Sequence, residues 1–189
     1  MSLKDQKKWD KKYATVEKLL QERPPSQKLT EFLKYAKGKD ALDVASGNGR
    51  NSIYLAKNGF EVDAVDIASA ALKNLDKKNY PNIHTKLMDL DTFTAEKKYD
   101  VIVKCNYLDR ELIPKLADAL KSGGILLIET YMEHPSNTKP DSNPDFLLKS
   151  GELKTMFDDR FEILDYYEFD NESHEIFRMK KASVVARKR

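Results

Sequence analysis

Hydrophobic and polar positions follow two different spacings along the chain. Between residues 4 and 21 the apolar side chains recur every three or four positions in a lysine-rich background, which predicts an amphipathic helix ended by Pro24-Pro25. A second helix is predicted with Ser26 as its N-terminal cap and Gly38 in left-handed conformation at its end. Two helices are therefore expected before the first strand.

Short apolar runs then alternate with helical periodicities. This alternation predicts an α/β fold with a mostly parallel, doubly wound sheet. Ser69 is a predicted cap of the helix after the second strand, and 122–124 is predicted to end the helix after the fourth. An aperiodic loop is predicted from Thr130 to Asn143, where a functional segment is expected. The five strands of this part are predicted at 41–44, 60–66, 83–88, 99–104 and 125–129.

The C-terminal segment has the pattern of a hairpin. Two strands are predicted at 161–169 and 175–185, around a turn at 170–173 that is too short for a parallel crossover. They complete a seven-stranded sheet in which one strand is antiparallel. Apolar positions change phase after Met179, which predicts a bulge near Lys180-Lys181.

Composition limits the class of protein. A length of 189 residues fits a single domain, divided here into an N-terminal helical cap at 1–38 and a core at 39–189. A net charge of +2 with 34% charged residues gives no polybasic face, so we expect neither a nucleic acid nor a membrane partner. The single cysteine excludes a disulfide framework and a cysteine-cluster metal site. With no apolar stretch long enough for a span or a signal peptide, the expected location is cytoplasmic.

A glycine turn follows the first predicted strand. Gly47 and Gly49 allow positive φ and a close approach of ligand to backbone, and a helix begins immediately afterwards. Acidic residues end the next two strands, at Asp66 and Asp89. The spacing from Gly47 to Asp66 also fits a dinucleotide-binding Rossmann domain, but Ser52 stands where that fingerprint has its third glycine. The turn predicts a crevice for a nucleotide-like cofactor.

The order of these elements resembles the class I S-adenosylmethionine-dependent methyltransferases. Their motif is an acid followed by three alternating glycines, and Asp43, Gly47 and Gly49 match it. Ala45 replaces the first glycine, a change that we expect to be mild where the backbone keeps a negative φ. Nearly the whole chain is similar to the tellurite-resistance branch, through motifs at 9–13, 43–51, 55–62, 65–67, 120–124 and 143–153.

The resemblance implies S-adenosylmethionine as cofactor, S-adenosylhomocysteine as product and a small-molecule acceptor. It implies that Asp66 accepts hydrogen bonds from both ribose hydroxyls. It also implies that Asp89, or the competing Asp91, accepts a hydrogen bond from the adenine amino group.

Tyr13, Tyr107 and Tyr131 are candidates for an aromatic ring beside the sulfonium. Tyr13 is our first choice, on a helix that folds over the cofactor, and a plain core position is its alternative. The cofactor-binding residues expected are Tyr13, Asp43, Ala45, Gly47, Gly49, Asp66, Ile67, Asp89, Leu90 and Cys105.

Methyl transfer from a sulfonium is an in-line displacement that relies largely on positioning, so no base is obligatory. His134, Tyr107 and Arg50 are candidate catalytic residues. A solvated loop histidine is the alternative for His134, and a solvated residue at the helix N-terminus is the alternative for Arg50. The lack of an acid–base pair favours a soft acceptor such as a thiolate, a selenide or a tellurium oxyanion.

Two other functions compete with an enzyme of this class. A non-catalytic S-adenosylmethionine-binding regulatory protein would share the cofactor crevice, and an NAD(P)-dependent oxidoreductase would share the glycine turn. No metal is predicted. A monomer or a homodimer is expected.

Overall fold

Seven strands form one mixed sheet in the computed structural model, which describes residues 3–172 and 175–189. The strands are β1 (Asp40–Val44), β2 (Glu61–Asp66), β3 (Ile83–Leu87), β4 (Tyr99–Cys105), β5 (Leu120–Tyr131), β6 (Phe161–Asp170) and β7 (Lys180–Lys188). The α-helices are α1 (Leu3–Thr15), α2 (Gln27–Phe32), α3 (Arg50–Lys57), α4 (Ser69–Asp76), α5 (Leu112–Ala119) and α6 (Glu152–Thr155). Short 3₁₀ turns lie at Glu17–Leu19, Leu33–Tyr35, Leu90–Thr92 and Pro144–Phe146.

The strand order across the sheet is β3-β2-β1-β4-β5-β7-β6. All pairs from β3 to β5 are parallel, whereas β7 pairs antiparallel with both β5 and β6. The predicted α/β sheet with one inserted antiparallel strand is therefore confirmed. β2 and β3 lie on one side of β1, and β4 begins the part of the sheet on its other side. Ligands of doubly wound sheets bind at such a topological switch point, at the carboxyl ends of the strands.

Apolar side chains cover both faces of this sheet. Leu42 and Val44 of β1 pack on the face covered by α5, while Ala41 packs on the opposite face with Leu55 of α3. Burial on both faces explains why the central strands read as apolar runs without polar alternation. The helices on the two faces hold the carboxyl ends of β1, β2 and β4 in fixed positions around the glycine turn.

The N-terminal elements differ from the prediction in three details. The first helix ends at Thr15 rather than at residue 21, and a 3₁₀ turn follows. Ser26 precedes α2 but makes no side-chain cap, because its hydroxyl donates instead to Glu129 Oε2 at 2.7 Å. Gly38 is not a left-handed helix end. A Cβ on Gly38 would lie 2.4 Å from a carboxylate oxygen of Asp100, so a larger residue at this position would displace that carboxylate.

The C-terminal strands also start at other residues than predicted. β5 begins directly after α5, so 122–124 lies inside β5, beside a register shift against β4. β7 begins at Lys180 rather than at residue 175, which places the phase change before the strand and makes the predicted bulge near Lys180-Lys181 wrong. The register shift of this hairpin lies on β6 instead, between Ile163 and Asp165. The connection is accordingly longer than four residues, and Ser173 of the predicted turn lies outside the described residues.

The loop predicted from Thr130 to Asn143 starts later than expected, since β5 continues to Tyr131. Met132 then forms a bridge with Leu148, and the Asn137 carboxamide accepts from the Lys180 backbone N–H at 2.8 Å. The loop is thus tied to the hairpin beside it. Within the described ranges, no helix combines the length and the apolar character needed to cross a bilayer.

Candidate active site

The glycine turn connects the end of β1 to α3 in a left-handed conformation. φ is 54° at Ala45, 53° at Gly47 and 79° at Gly49. The turn is closed by a hydrogen bond from the Gly49 N–H to the Ser46 carbonyl at 2.9 Å, and the Ser46 N–H donates to Val65 of β2 at 3.1 Å. These contacts place the turn at the switch point of the sheet, with the first turn of α3 directly behind it.

Ala45 does not meet the condition under which its substitution for glycine is mild. Its φ of 54° lies in the left-handed region, where a Cβ approaches the following carbonyl oxygen. The cost of this conformation for a residue with a side chain is about 1–2 kcal/mol. The turn therefore has the backbone conformation of a glycine motif, and Ala45 is strained in it.

We expect Ala45→Gly to raise the free energy of unfolding by about 1 kcal/mol, because glycine adopts positive φ without this strain. Urea denaturation of the purified variant measures the change. Ala41→Gly is the matched control, since Ala41 is fully buried in β1 outside the left-handed region. That control is expected to lose about 1 kcal/mol. A loss of stability in both variants would contradict the strain at Ala45.

Asp43 is buried under the turn and connects β1 to α3. Its Oδ2 accepts from the Ser52 N–H at 2.9 Å and from the Ser52 hydroxyl at 2.6 Å. Burial raises the pKa of Asp43 to about 6, although the Ser52 hydrogen bonds act in the opposite direction. Ser52 is fully buried at the position where a dinucleotide fingerprint has glycine. The contacts shown by Asp43 are thus those of a residue that positions the glycine turn.

Asp66 ends β2 with its carboxylate turned toward the glycine turn. Oδ2 accepts from the Gly47 N–H at 2.7 Å and Oδ1 from the Ala68 N–H at 2.8 Å. Burial raises the pKa of Asp66, against the lowering effect of these backbone donors. Each carboxylate oxygen keeps acceptor capacity for a second donor. The structure therefore places the Asp66 carboxylate beside Gly47, held in one orientation by two backbone N–H groups.

The neighbouring strand ends bring the remaining predicted residues to the same edge of the sheet. The Met88 N–H donates to the Asp66 carbonyl at 2.9 Å, which places the start of the Asp89 segment beside the end of β2. Asp89 accepts from the Asp91 N–H at 3.0 Å and caps the turn Leu90–Thr92. Ile67 is buried, and the Leu90 side chain is fully buried in the core.

Helix α1 lies over the turn. Asp10 accepts from the Ser69 hydroxyl at 3.1 Å and from the Ala70 N–H at 2.9 Å, so the first turn of α4 is capped from α1 rather than by Ser69 itself. Tyr13 lies one helical turn further on, and its hydroxyl would be 2.5 Å from a Cβ placed on Gly47. Burial raises the pKa of Tyr13, as does the nearby Asp66 carboxylate, so its hydroxyl stays protonated.

The segment between α1 and α2 is bonded to the same turn. Asn48 donates to the Leu20 carbonyl at 2.9 Å, and Arg50 Nη1 donates to the Pro24 carbonyl at 3.3 Å. The Ser26 N–H donates to Asn51 Oδ1 at 2.9 Å. Sequence reasoning missed Asn48 and Asn51 as positioning residues. Their signal was their place in and directly after the glycine turn, where a carboxamide serves backbone partners.

A group of buried and partly buried charges adjoins the turn, near the end of β5 and the start of β7. The group, named here the charge cluster, comprises Arg50, Lys181, Glu129, Glu172 and Glu175. Lys181 Nζ lies 2.7 Å from Glu172 Oε2, 3.4 Å from Glu175 Oε1 and 3.5 Å from Glu129 Oε1. Arg50 lies 3.2 Å from Glu172 and 3.6 Å from Glu129. Apart from Arg50, these residues were not predicted.

The other predicted residues differ in their surroundings. Cys105 is paired in register with Glu129, and burial raises the pKa of its thiol to about 12, so it is not a thiolate at neutral pH. The Tyr107 hydroxyl donates to Asp109 at 3.4 Å. His134 is exposed, and its Nδ1 lies 2.7 Å from the hydroxyl of Ser136 in its own loop. The structure thus brings Cys105 to the charge cluster and leaves His134 in contact with its own loop.

The strand order and the carboxylate facing a glycine turn are those of a class I methyltransferase fold. Solved structures agree: the crystal structure of TehB from Haemophilus influenzae has a TM-score of 0.76 at 27% identity, over 97% of this chain and 67% of that one. A structure described as the conversion of a disulfide bond into a thioacetal group during echinomycin biosynthesis has a TM-score of 0.71 at 16% identity, over 97% of this chain and 91% of that one. This second likeness shows the fold alone.

The chain belongs to the family described as tellurite resistance protein TehB, whose family model matches residues 1–181. A curated relative from H. influenzae strain Rd, described as a probable S-adenosyl-L-methionine-dependent methyltransferase TehB, is 32% identical over 78% of this chain. The predicted branch is therefore confirmed. This chain spans 57% of the length of that relative.

Proposed function

We propose that this protein is an S-adenosylmethionine-dependent methyltransferase acting on a small, soft nucleophile. The observation that carries the proposal is the Asp66 carboxylate at the end of β2, held by the Gly47 and Ala68 N–H groups beside a left-handed glycine turn. Membership of the TehB family supports the same reaction. The cofactor supplies an activated methyl group and the leaving thioether when it is bound.

The described residues fit such a cofactor. Asp66 would accept from the ribose hydroxyls, and Gly47 and Gly49 admit the methionine portion close to the backbone. The Ser46 hydroxyl is buried without a hydrogen-bond partner within residues 3–172 and 175–189, which is an unusual state for a buried polar group and suits a ligand donor or acceptor. On the adenine side, Asp89 would receive the amino group, beside the Leu90 backbone and the Ile67 side chain.

Tyr13 is proposed to lie against the methionine and sulfonium end of the cofactor. Its hydroxyl occupies the space over Gly47, so a ligand on this turn either packs against Tyr13 or displaces it. A protonated phenol presents a neutral ring, and the face of such a ring attracts a cation. The docking of α1 through Asp10 would then cover the cofactor from one side.

The acceptor supplies its own electron pair in this reaction. For selenite, a lone pair on selenium forms the new bond to carbon while the electrons of the sulfur–carbon bond remain on sulfur; selenium passes formally from oxidation state IV to VI, and no further reductant is needed. The contribution of the protein is to hold acceptor and methyl group within attack distance. A protonated Cys105 thiol and an exposed His134 give no reason to invoke a base.

Isothermal titration of the purified protein with S-adenosylmethionine, S-adenosylhomocysteine, NAD⁺ and NADP⁺ tests the cofactor. We expect saturable binding of the two sulfur compounds only; binding of a dinucleotide alone would overturn the proposal. Formation of S-adenosylhomocysteine in the presence of tellurite, selenite, thiols, amines or carboxylates then separates an enzyme from a regulatory cofactor-binding protein. Turnover only with RNA or protein acceptors would refute the small-molecule acceptor.

A further inference from the structure

Lys104 is a cation buried in the apolar core near the carboxyl end of β4. Its side chain has no exposed surface, and its neighbours in register are Val44 of β1 and Ile128 of β5. Side chains alternate along a strand, so Lys104 lies on the same face as Ile102, the face covered by α5. A cation in such surroundings destabilises the fold, so its presence needs a reason beyond packing.

The ammonium of Lys104 is held by a backbone carbonyl. The described residues give it no ion pair, in contrast to the three carboxylates around Lys181. Its Nζ donates to the Tyr107 carbonyl and lies 5.2 Å from the centre of the Tyr107 ring. Burial lowers the pKa of Lys104 to about 8, although the nearby Asp109 carboxylate acts in the opposite direction. The fold therefore keeps a costly cation whose hydrogen bond goes to one loop.

That loop connects β4 to α5. It is named here the β4 turn and comprises Asn106, Tyr107, Leu108 and Asp109. Its first residue is left-handed, with a φ of 59°, and the Asn106 N–H donates to the Glu129 carbonyl at 2.7 Å. At its other end, Asp109 Oδ1 accepts from the Leu112 N–H of α5 at 3.2 Å. The Lys104 hydrogen bond fixes the middle of the β4 turn between these two ends.

The β4 turn lies beside the glycine turn. Val44 and Lys104 are paired between the parallel strands β1 and β4, so the residues that follow them leave the same edge of the sheet side by side. Ala45 of the glycine turn and Tyr107 of the β4 turn both pack against the core under this edge. On its other side the β4 turn reaches Glu129 of the charge cluster. A cofactor on the glycine turn would therefore have the β4 turn as one wall of its crevice.

We propose that Lys104 is a positioning residue for methyl transfer, which holds the β4 turn as a fixed wall of the site through the Tyr107 carbonyl. This inference rests on the proposed function and adds to it a residue that touches neither the cofactor nor the acceptor. The hydrogen bond is charge-assisted while the ammonium keeps its proton, and it weakens once the amine is neutral. Methyl transfer depends on attack distance, so a wall that is free to shift lowers the rate.

The protonation of Lys104 distinguishes this role from plain packing. The titratable side chains around it are Asp109 and Tyr107 of the β4 turn and Cys105 of β4, whereas β1, β5 and α5 contribute apolar side chains to this face. Burial raises the pKa values of Tyr107 and Cys105, so neither changes its charge near pH 8. Since the pKa of Lys104 is lowered, the cost of burying its charge is complete below pH 8 and disappears as the pH rises toward the ordinary lysine value of 10.5.

The test compares Lys104→Met with the wild type, using selenite as the acceptor. Near neutral pH we expect a kcat about tenfold lower, an unchanged affinity for S-adenosylhomocysteine and a Tm about 3 °C higher, because the buried charge is gone. The ratio of wild-type to variant kcat should fall toward one as the pH rises through the pKa of Lys104, and this ratio cancels the titration of selenite itself. Lys98→Met is the matched control, since the exposed Lys98 donates to the Asp118 carbonyl just before β4 begins, at the opposite end of that strand. It should keep the wild-type kcat.

An unchanged kcat in folded Lys104→Met, a ratio that does not vary with pH, or an equal loss in Lys98→Met overturns the role of Lys104. A lower Tm together with weaker S-adenosylhomocysteine binding marks a structural residue and also overturns it. If Lys104→Met does not fold, Lys104→Gln, which keeps a neutral donor, takes its place in the same comparison. Methyl transfer at equal rates in wild type and variant supports the proposed function and refutes the role of Lys104, whereas no transfer by the wild type to any acceptor refutes both.

Discussion

Asp66→Asn is expected to weaken S-adenosylmethionine binding about a hundredfold. An ionised carboxylate accepts from both ribose hydroxyls, and each hydrogen bond to a charged group contributes about 1.5–3 kcal/mol. Asparagine has only one acceptor oxygen. Its NH₂ group would face one of the two backbone N–H groups that donate to the Asp66 oxygens, so two donors would oppose each other. A total loss near 3 kcal/mol corresponds to roughly two orders of magnitude in Kd. Isothermal titration measures this change.

Asp63→Asn is the matched control for this variant. Asp63 is buried in the same strand β2, but its carboxylate accepts from the Tyr99 hydroxyl at 2.8 Å, away from the turn. We expect this control to lose stability while it keeps its affinity for the cofactor. Equal affinity losses in both variants would show that the effect of Asp66→Asn is structural, and unchanged affinity in folded Asp66→Asn would remove the ribose assignment.

Lys181→Met is expected to lower the free energy of unfolding by about 3 kcal/mol. The substitution keeps the length of the side chain but removes the cation that accompanies Glu129, Glu172 and Glu175 in a buried setting. Uncompensated buried charges of this kind cost about 3–5 kcal/mol. Urea denaturation at neutral pH measures the loss. Lys180→Met is the control, because the neighbouring lysine pairs with a half-exposed aspartate.

The ion pair between Lys181 and Glu172 makes a contribution to stability whose pH dependence is predictable. Burial alone raises the pKa of Glu172, but the Lys181 ammonium outweighs burial and the pKa lies far below the ordinary glutamate value of 4.5. The stabilisation is therefore complete above pH 4.5 and is lost as the pH falls from there through the lowered pKa. Wild type and Lys181→Met should converge in stability under acid conditions. A difference that stays constant down to low pH would contradict the ion pair as its source.

The features predicted from the sequence are those that local pattern determines. Strands buried on both faces have continuous apolar runs, so β1, β2, β3 and β4 were located within one or two residues. The glycine turn and the acid ending β2 were recognisable because their backbone requirements are visible in residue types. The α/β class and the antiparallel insertion followed from the spacing of these elements.

The sequence predictions are wrong or incomplete where contacts between distant parts of the chain determine the structure. Ser26 has the composition of a helix cap, but its hydroxyl donates to Glu129, 103 residues away along the chain. The charge cluster is assembled from β5, the start of α3, β7 and the turn before it, so no local pattern reveals it. The sequence predicted only a bulge at Lys180-Lys181, whereas Lys181 is a fully buried residue of the strand that pairs with both β5 and β6.

Ala45 shows a different limit of sequence reasoning. The identity of the residue was visible, but its φ depends on how the turn closes on β2, where the Ser46 N–H reaches Val65. An alanine in the left-handed conformation is tolerated because the surrounding contacts determine the backbone conformation at this position.

Transfer of a labelled methyl group from S-adenosylmethionine to selenite is the direct test of the proposed methyltransferase activity. The purified protein is incubated with both compounds, and the labelled selenium product and S-adenosylhomocysteine are quantified together. We expect both to form in equal amounts. At a cofactor concentration about tenfold above the wild-type Kd, Asp66→Asn should react at roughly a tenth of the wild-type rate, because its affinity is about a hundredfold lower, whereas Asp63→Asn should retain the wild-type rate. Tight binding of S-adenosylmethionine with no methyl transfer to selenite, tellurite or any other small acceptor would contradict the proposed activity.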